Sequence, residues 1–196
     1  GSRQSLHHRG QLSFPADVTG YQAAHTANAV MNPAHLFHAS EEHEITAFHP
    51  RPPPSPEVGP DHDCVWAIGH DALSNYIAPR DCPRVIVRCS KDTTSADKAR
   101  FIGGSEAIAV MTIERKWLAA MRRTSLTLYA FEAGPQWQLF DANAAYYLSR
   151  ISVTPVARHR IDNLAAALAG HVTELRVVDN LWPLIDAVVA STMRFS

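Results

Sequence analysis

Residues 64–78 read Cys-Val-Trp-Ala-Ile-Gly-His-Asp-Ala-Leu-Ser-Asn-Tyr-Ile-Ala. Cys64–Ile68 is an apolar run of the length of a buried strand, and from Asp71 the period changes. Ala72, Leu73, Tyr76 and Ile77 then fall on one side at helical spacing. A strand carrying Trp66 thus runs directly into a helix carrying Tyr76. Upstream, Ala34-His35-Leu36-Phe37-His38 is a second strand candidate, closed by Ala39-Ser40. Ser40 precedes Glu41, Glu42, His43 and Glu44, an acidic turn suited to a helix N-terminus, with Ile45 and Phe48 as apolar anchors. Residues 50–60 hold six of the 13 prolines, so this connection cannot join a central sheet and reads as a surface loop.

Downstream, Arg84–Cys89 reads as a strand, and Thr93-Thr94-Ser95 caps a helix running to about Phe101, stopped by Gly103-Gly104. Ala107–Ile113 is a strand, and Glu114–Arg123 a helix with Trp117, Leu118 and Met121 inward. Ser125–Phe131 alternates as a strand, Gly134-Pro135 turns the chain, and Trp137–Phe140 completes a hairpin. Tyr146–Leu148 and Ile151–Val156 read as one interrupted strand. Ile161–Ala169 is a helix, Glu174–Val178 a strand, and Pro183–Met193 a final helix with proline in its first turn. Strands outnumber helices and do not alternate regularly with them, which favours α+β, with mixed or antiparallel sheets and peripheral helices, over a doubly wound fold.

The 196 residues suit one domain; hydrophobic residues make up 46% and charged residues 19%, which excludes global disorder. No apolar run approaches the ~20 residues of a membrane span. The net charge of −1 supplies no basic field for nucleic acid or an anionic membrane. Three cysteines rule out a disulfide scaffold, and their odd number suits a reducing, cytoplasmic setting. A zinc cluster of His62, Cys64, Cys82 and Cys89 lacks any Cys-x-x-Cys spacing, so no metal is expected, and Cys64 and Cys89 read as small buried strand residues. Walker, Gly-x-Gly-x-x-Gly, His-Glu-x-x-His and Gly-x-Ser-x-Gly motifs are all absent.

The order of His38-Ala39-Ser40, then Trp66-Ala67, then Ser74-Asn75-Tyr76 resembles the ADP-ribosyltransferase superfamily, in its poly(ADP-ribose)-polymerase-like and diphtheria-toxin-like branch. There a first strand ends in a His-Gly-Ser-type motif, a second carries Gly-Ile-Tyr-Phe-Ala, and the next helix carries Ser-x-Ser-Ala-Asn-Tyr. The likeness covers about residues 34–78. Over its length the chain also looks like a bacterial family of unknown function, which carries no assigned activity.

The resemblance implies an ADP-ribosyltransferase-type domain over residues 33–196, with NAD as substrate. It places the nicotinamide between the rings of Trp66 and Tyr76, whose π faces favour a cationic ring. It gives His38 the adenosine ribose hydroxyls, the Ala39 backbone the carboxamide, and Ser40 the amide or its ribose. His38 and Tyr76 become the residues of catalysis. The implied partners are a nucleotide and, for transfer, an acceptor such as a protein; RNA 2′-phosphotransferase-like chemistry and a non-catalytic interaction module are the alternatives. The family's late glutamate has no counterpart on the strand 146–153, where Ile151 stands in its place and Asp141, Glu106 and Glu114 are the other acids to test.

Arg80 and Arg84 flank Asp81. They read either as a clamp for the NAD diphosphate, with Arg80 on the cofactor, or as an Arg–Asp pair bracing a proline-bounded turn.

Gly1-Ser2 reads as a cloning scar, and residues 3–32 as an arm poor in large apolar groups, with a short helix around Tyr21–Val30. With so little area to bury, the arm is expected to be dispensable for folding. A chain beginning at Met31 should express and melt within a few degrees of the full chain; insolubility would assign the arm to the core.

Overall fold

Two of the strand expectations above sit at the centre of two different sheets. In the computed structural model, which describes residues 34–53, 60–142 and 144–196, His35–Ser40 forms β1, Val65–Ile68 β2 and Arg84–Arg88 β3. Ala109–Glu114 forms β4, Leu126–Glu132 β5, Gln138–Asp141 β6, Tyr146–Ser149 β7, Ala157–Ile161 β8, Thr173–Val178 β9 and Arg194–Phe195 β10. The helices are α1 (Ser95–Phe101), α2 (Leu118–Arg123), α3 (Leu164–Gly170) and α4 (Trp182–Val189), with 3-10 segments at His70–Tyr76 and Arg115–Trp117. The architecture is α+β. The expected arm lies outside the described residues, and Pro33–Ser196 forms one compact unit.

The first sheet runs β6-β7-β2-β1-β5-β8 and the second β10-β3-β4-β9. All pairings are antiparallel except β4 with β9. Strand alternation explains how the layers stack. Phe37, Ile68, Leu126, Leu128 and Ala130 of the first sheet meet Ile86, Ala109, Met111 and Ile113 of the second in the main core, closed by Leu73 and Ile77 of the 3-10 segment and by Leu164 and Leu168 of α3. On the far face of the first sheet, Leu36, Val65, Ala67, Tyr129, Phe131 and Tyr147 pack under Phe48, Trp137 and Val153. On the far face of the second, Val85, Val87 and Val110 pack with residues of α1 and α4. Strand β1 is therefore covered on both sides, and burying side chains such as Leu36 and Phe37 contributes about 1.5–3 kcal/mol each.

Several elements depart from the sequence reading. The acidic run 41–44 is not helical: the Glu42 N–H goes to Ser40 Oγ and the Ile45 N–H to Tyr129 Oη, which drapes the segment over the first sheet. Strand β6 pairs with β7 rather than closing a hairpin on β5, because β5 is already flanked by β1 and β8. Residues 151–156 contribute only the single bridge Phe48↔Val153. Cys89 lies beyond the end of β3 and is exposed, whereas Cys64 and Cys82 are buried. Among the described residues no helix is long and apolar enough to cross a membrane.

Helix α3 passes through Gly170, and the left-handed position that follows falls on Val172, at φ 52°. A β-branched side chain there crowds its own backbone, costing about 1–2 kcal/mol. Val172 is also partly exposed, so little packing depends on it. Val172→Gly is expected to raise stability by about 0.5–1 kcal/mol after the greater chain entropy of glycine is set against the relief. Chemical denaturation should show a higher midpoint at unchanged slope; a lower midpoint would mean that the valine packing outweighs the strain.

Candidate functional site

Strand β1 pairs with β5 over its full length, from His35↔Glu132 to Ser40↔Thr127. With β2 it pairs only at Phe37↔Ile68. Regular continuation of that ladder would set Ala39 against Trp66; instead a side chain takes the Trp66 carbonyl, with His38 Nδ1 donating to it at 3.0 Å. A carbonyl only accepts, so Nδ1 carries the proton, and in the neutral ring Nε2 is left as an acceptor. The His38 ring packs on Phe48 with centroids 4.9 Å apart. Burial pushes its pKa down, the bond to Trp66 pulls the other way, and the charges of Arg80 and Arg51 lower it further. The result is a neutral, fixed imidazole beside two guanidinium groups.

The aromatic group lies on the other side of the pleat. Trp66 and Tyr146 sit in the positions of β2 and β7 that face the second sheet, as does Tyr76 from the 3-10 segment. The Tyr146 ring stands perpendicular to Trp66, with centroids 5.5 Å apart, and lies 6.3 Å from Tyr76, to whose hydroxyl its own is hydrogen-bonded. Phe140 approaches the Trp66 ring edge-on at 5.6 Å. The indole Nε1 of Trp66 is buried without a hydrogen-bond partner among the described residues. Burial and the bond to Tyr146 both push the Tyr76 phenol up, so it stays protonated.

The structure thus joins His38 to the strand of Trp66 through the backbone, and Trp66 to Tyr76 through Tyr146. It does not set the side chains of His38, Trp66 and Tyr76 on one face, because β1 alternation sends His38 and Ser40 to the side of Phe48. Ala39 faces the main core and Ser40 accepts the Glu42 N–H. The other two residues of the Ser-Asn-Tyr run serve the fold: Arg88 donates to Ser74 Oγ and to Asn75 Oδ1, and Asn75 Nδ2 donates to Ser196 Oγ at 2.9 Å.

The arginines separate. Arg80 is exposed, and its backbone N–H goes to Glu41 Oε1 at 2.9 Å, which ties the turn after the 3-10 segment to the end of β1. Arg84 points inward, its Nε donating to the Asn75 carbonyl at 2.7 Å and Nη1 to that of Cys82 at 3.0 Å. Its guanidinium carbon lies 5.9 Å from the centre of the Tyr76 ring. Neither arginine pairs with Asp81 among the described residues, so the bracing Arg–Asp pair is not formed.

The late strand ends at Ser149, whose hydroxyl donates to the Ile151 carbonyl and closes a turn. Ile151 is consequently 60% exposed and lies off the strand, which corrects its assignment to a site position; Tyr146 is the β7 residue that reaches the aromatic group. Asp141 caps the turn into β7 through the Ala144 N–H. Glu114 is held by Lys116 and by the Leu181 N–H. Among the described residues no cluster of three or more His, Cys, Asp or Glu side chains is gathered as a metal site.

A two-sheet α+β domain with a histidine at a broken strand pair and a tyrosine pair beside it defines the class. A family model described as a family of unknown function, DUF6886, matches residues 37–196, and the chain belongs to that family. No curated protein and no solved structure matches the chain.

The lowered His38 pKa has a definite linkage sign. The native state binds fewer protons than the unfolded chain, so its contribution is complete above the unfolded value of ~6.5 and is lost as pH falls through the folded one. The melting temperature should fall between about pH 7 and pH 5.5, and fall less in His38→Gln, with His171, displaced downward by burial, supplying the remainder. An equal fall in both proteins would refute a depressed His38.

Proposed function

We propose that this chain binds a nucleotide, NAD or a close relative, at the opening between β1 and β2, on a domain of ADP-ribosyltransferase type. The observation that carries the reading is His38: a neutral imidazole anchored at Nδ1 where the ladder stops, with an acceptor nitrogen unspent among the described residues and the positive charge of Arg80 and Arg51 acting on it. Such a group receives a ribose hydroxyl, and the guanidiniums suit a diphosphate. Ala39 and Ser40 follow directly on the strand, and the rings of Trp66, Tyr76 and Tyr146 form an aromatic surface for nicotinamide on the far side of the opening.

Release of nicotinamide leaves positive charge on the ribose, and a fixed carboxylate normally steadies it; loss of one such group costs ~10²–10³ in rate. Among the described residues the hydroxyls bonded within the aromatic group are those of Tyr76 and Tyr146, and Asp141, in register with Tyr146, is engaged by the Ala144 N–H. Transfer of ADP-ribose to an acceptor, or hydrolysis of NAD, is therefore slow on this reading. A binding module without turnover is the second reading, favoured by the Tyr146 ring in contact with both Trp66 and Tyr76.

Melting with and without NAD tests the proposal, since a ligand at ~100 times its Kd adds about 2.7 kcal/mol. A rise in melting temperature that His38→Ala abolishes, accompanied by slow nicotinamide release, is the expected result. No shift at millimolar NAD would overturn the nucleotide reading, and a shift without release would select the module.

A further inference from the structure

Strand β3 reads Arg-Val-Ile-Val-Arg, and its alternation is inverted relative to what a core-facing strand needs. Val85 and Val87 serve the far face, so Arg84 shares with Ile86 the side that faces the first sheet. An arginine is placed inside a two-sheet core only at the cost of desolvation, which lowers its pKa here. Buried charges are ordinarily met by an opposite charge. Arg84 meets two carbonyls and the Tyr76 ring, and no carboxylate among the described residues. Two of its five N–H groups are taken, and three are unspent among the described residues.

Next to it stand two phenols bonded to each other. In that pair one hydroxyl donates to the other, although both are able to donate to a better acceptor. Both rings and the guanidinium are half-buried rather than sealed. We propose that Arg84, Tyr76 and Tyr146 form a receptor for an oxyanion, a phosphate or a carboxylate group, which completes the charge of Arg84 and takes a hydrogen bond from each tyrosine. The site shares Tyr76 and Tyr146 with the nucleotide reading but does not depend on NAD as the ligand. The anion has two sources, the phosphate of the nucleotide itself or an anionic acceptor substrate.

Calorimetry on the full chain with pyrophosphate, and separately with inorganic phosphate, tests the receptor. The expected result is millimolar or tighter binding that weakens at least about tenfold in Arg84→Gln, the loss expected for a charge-assisted hydrogen bond. Tyr146→Phe, which leaves the ring and the strand in place, should weaken it several-fold, while Arg123→Gln at an exposed site leaves it unchanged. Competition between pyrophosphate and NAD assigns the anion to the nucleotide; simultaneous binding assigns it to a second substrate. Pyrophosphate binding with this dependence, in a protein that NAD fails to stabilise, would uphold the receptor and refute the nucleotide reading alone. Absence of binding by the parent overturns the receptor, as does parental affinity in Arg84→Gln or, in the event that this variant does not fold, in Tyr146→Phe.

Discussion

The bond from His38 Nδ1 to the Trp66 carbonyl keeps β1 and β2 in one sheet after their ladder has stopped. A regular ladder there would satisfy the backbone without involving any side chain. Because a side chain does it, the protonation and orientation of one imidazole are bound up with the integrity of the larger sheet. A depressed pKa follows from the same arrangement, since the ring must be buried to reach the carbonyl. Structural and chemical roles of His38 are thus the same physical fact seen from its two nitrogens.

Between the sheets several buried polar groups are met by hydrogen bonds, although the Trp66 indole N–H has no partner among the described residues. Ser74 and Asn75 are buried beside Arg88, and each accepts a hydrogen bond from it. The Tyr76–Tyr146 pair satisfies itself. Arg84, like Arg88, has only neutral hydrogen-bond partners among the described residues. A half-buried cation with neutral partners is a weak contributor to stability.

What the sequence revealed divides by range. Val65–Ile68 and the Val85-Ile86-Val87 centre of β3 are apolar runs whose strand character is local, Thr173–Val178 alternates Thr173, Leu175 and Val177 with Glu174 and Arg176, and α1 is marked by Thr94, whose hydroxyl accepts the Asp97 N–H. Strand β8 was illegible because Arg158, His159 and Arg160 lie exposed on an edge and show no apolar period. The partner of β6 was misread because a hairpin is the nearest solution in sequence, whereas the sheet order is set by distant strands. At the candidate site, His38, Trp66 and Tyr76 were legible by type and order. The inward turn of Arg84 and the place of Tyr146 were not, because each depends on which face of a strand a neighbouring sheet covers. The alternation of β3, with valines at 85 and 87, was the one local signal that could have found Arg84.

The pairing of β1 with β5 has a consequence for how the protein is made. The strand that holds His38 is translated well before β5, its continuous partner among the described residues, which ends at Glu132. Until then Leu36 and Phe37, both buried in the finished domain, have no sheet to join. Loop closure over that span must precede any return from the contacts. Strand β1 is thus among the last to be secured, and the nascent chain passes through a long interval in which Leu36 and Phe37 are unguarded and open to chaperones or to misassociation.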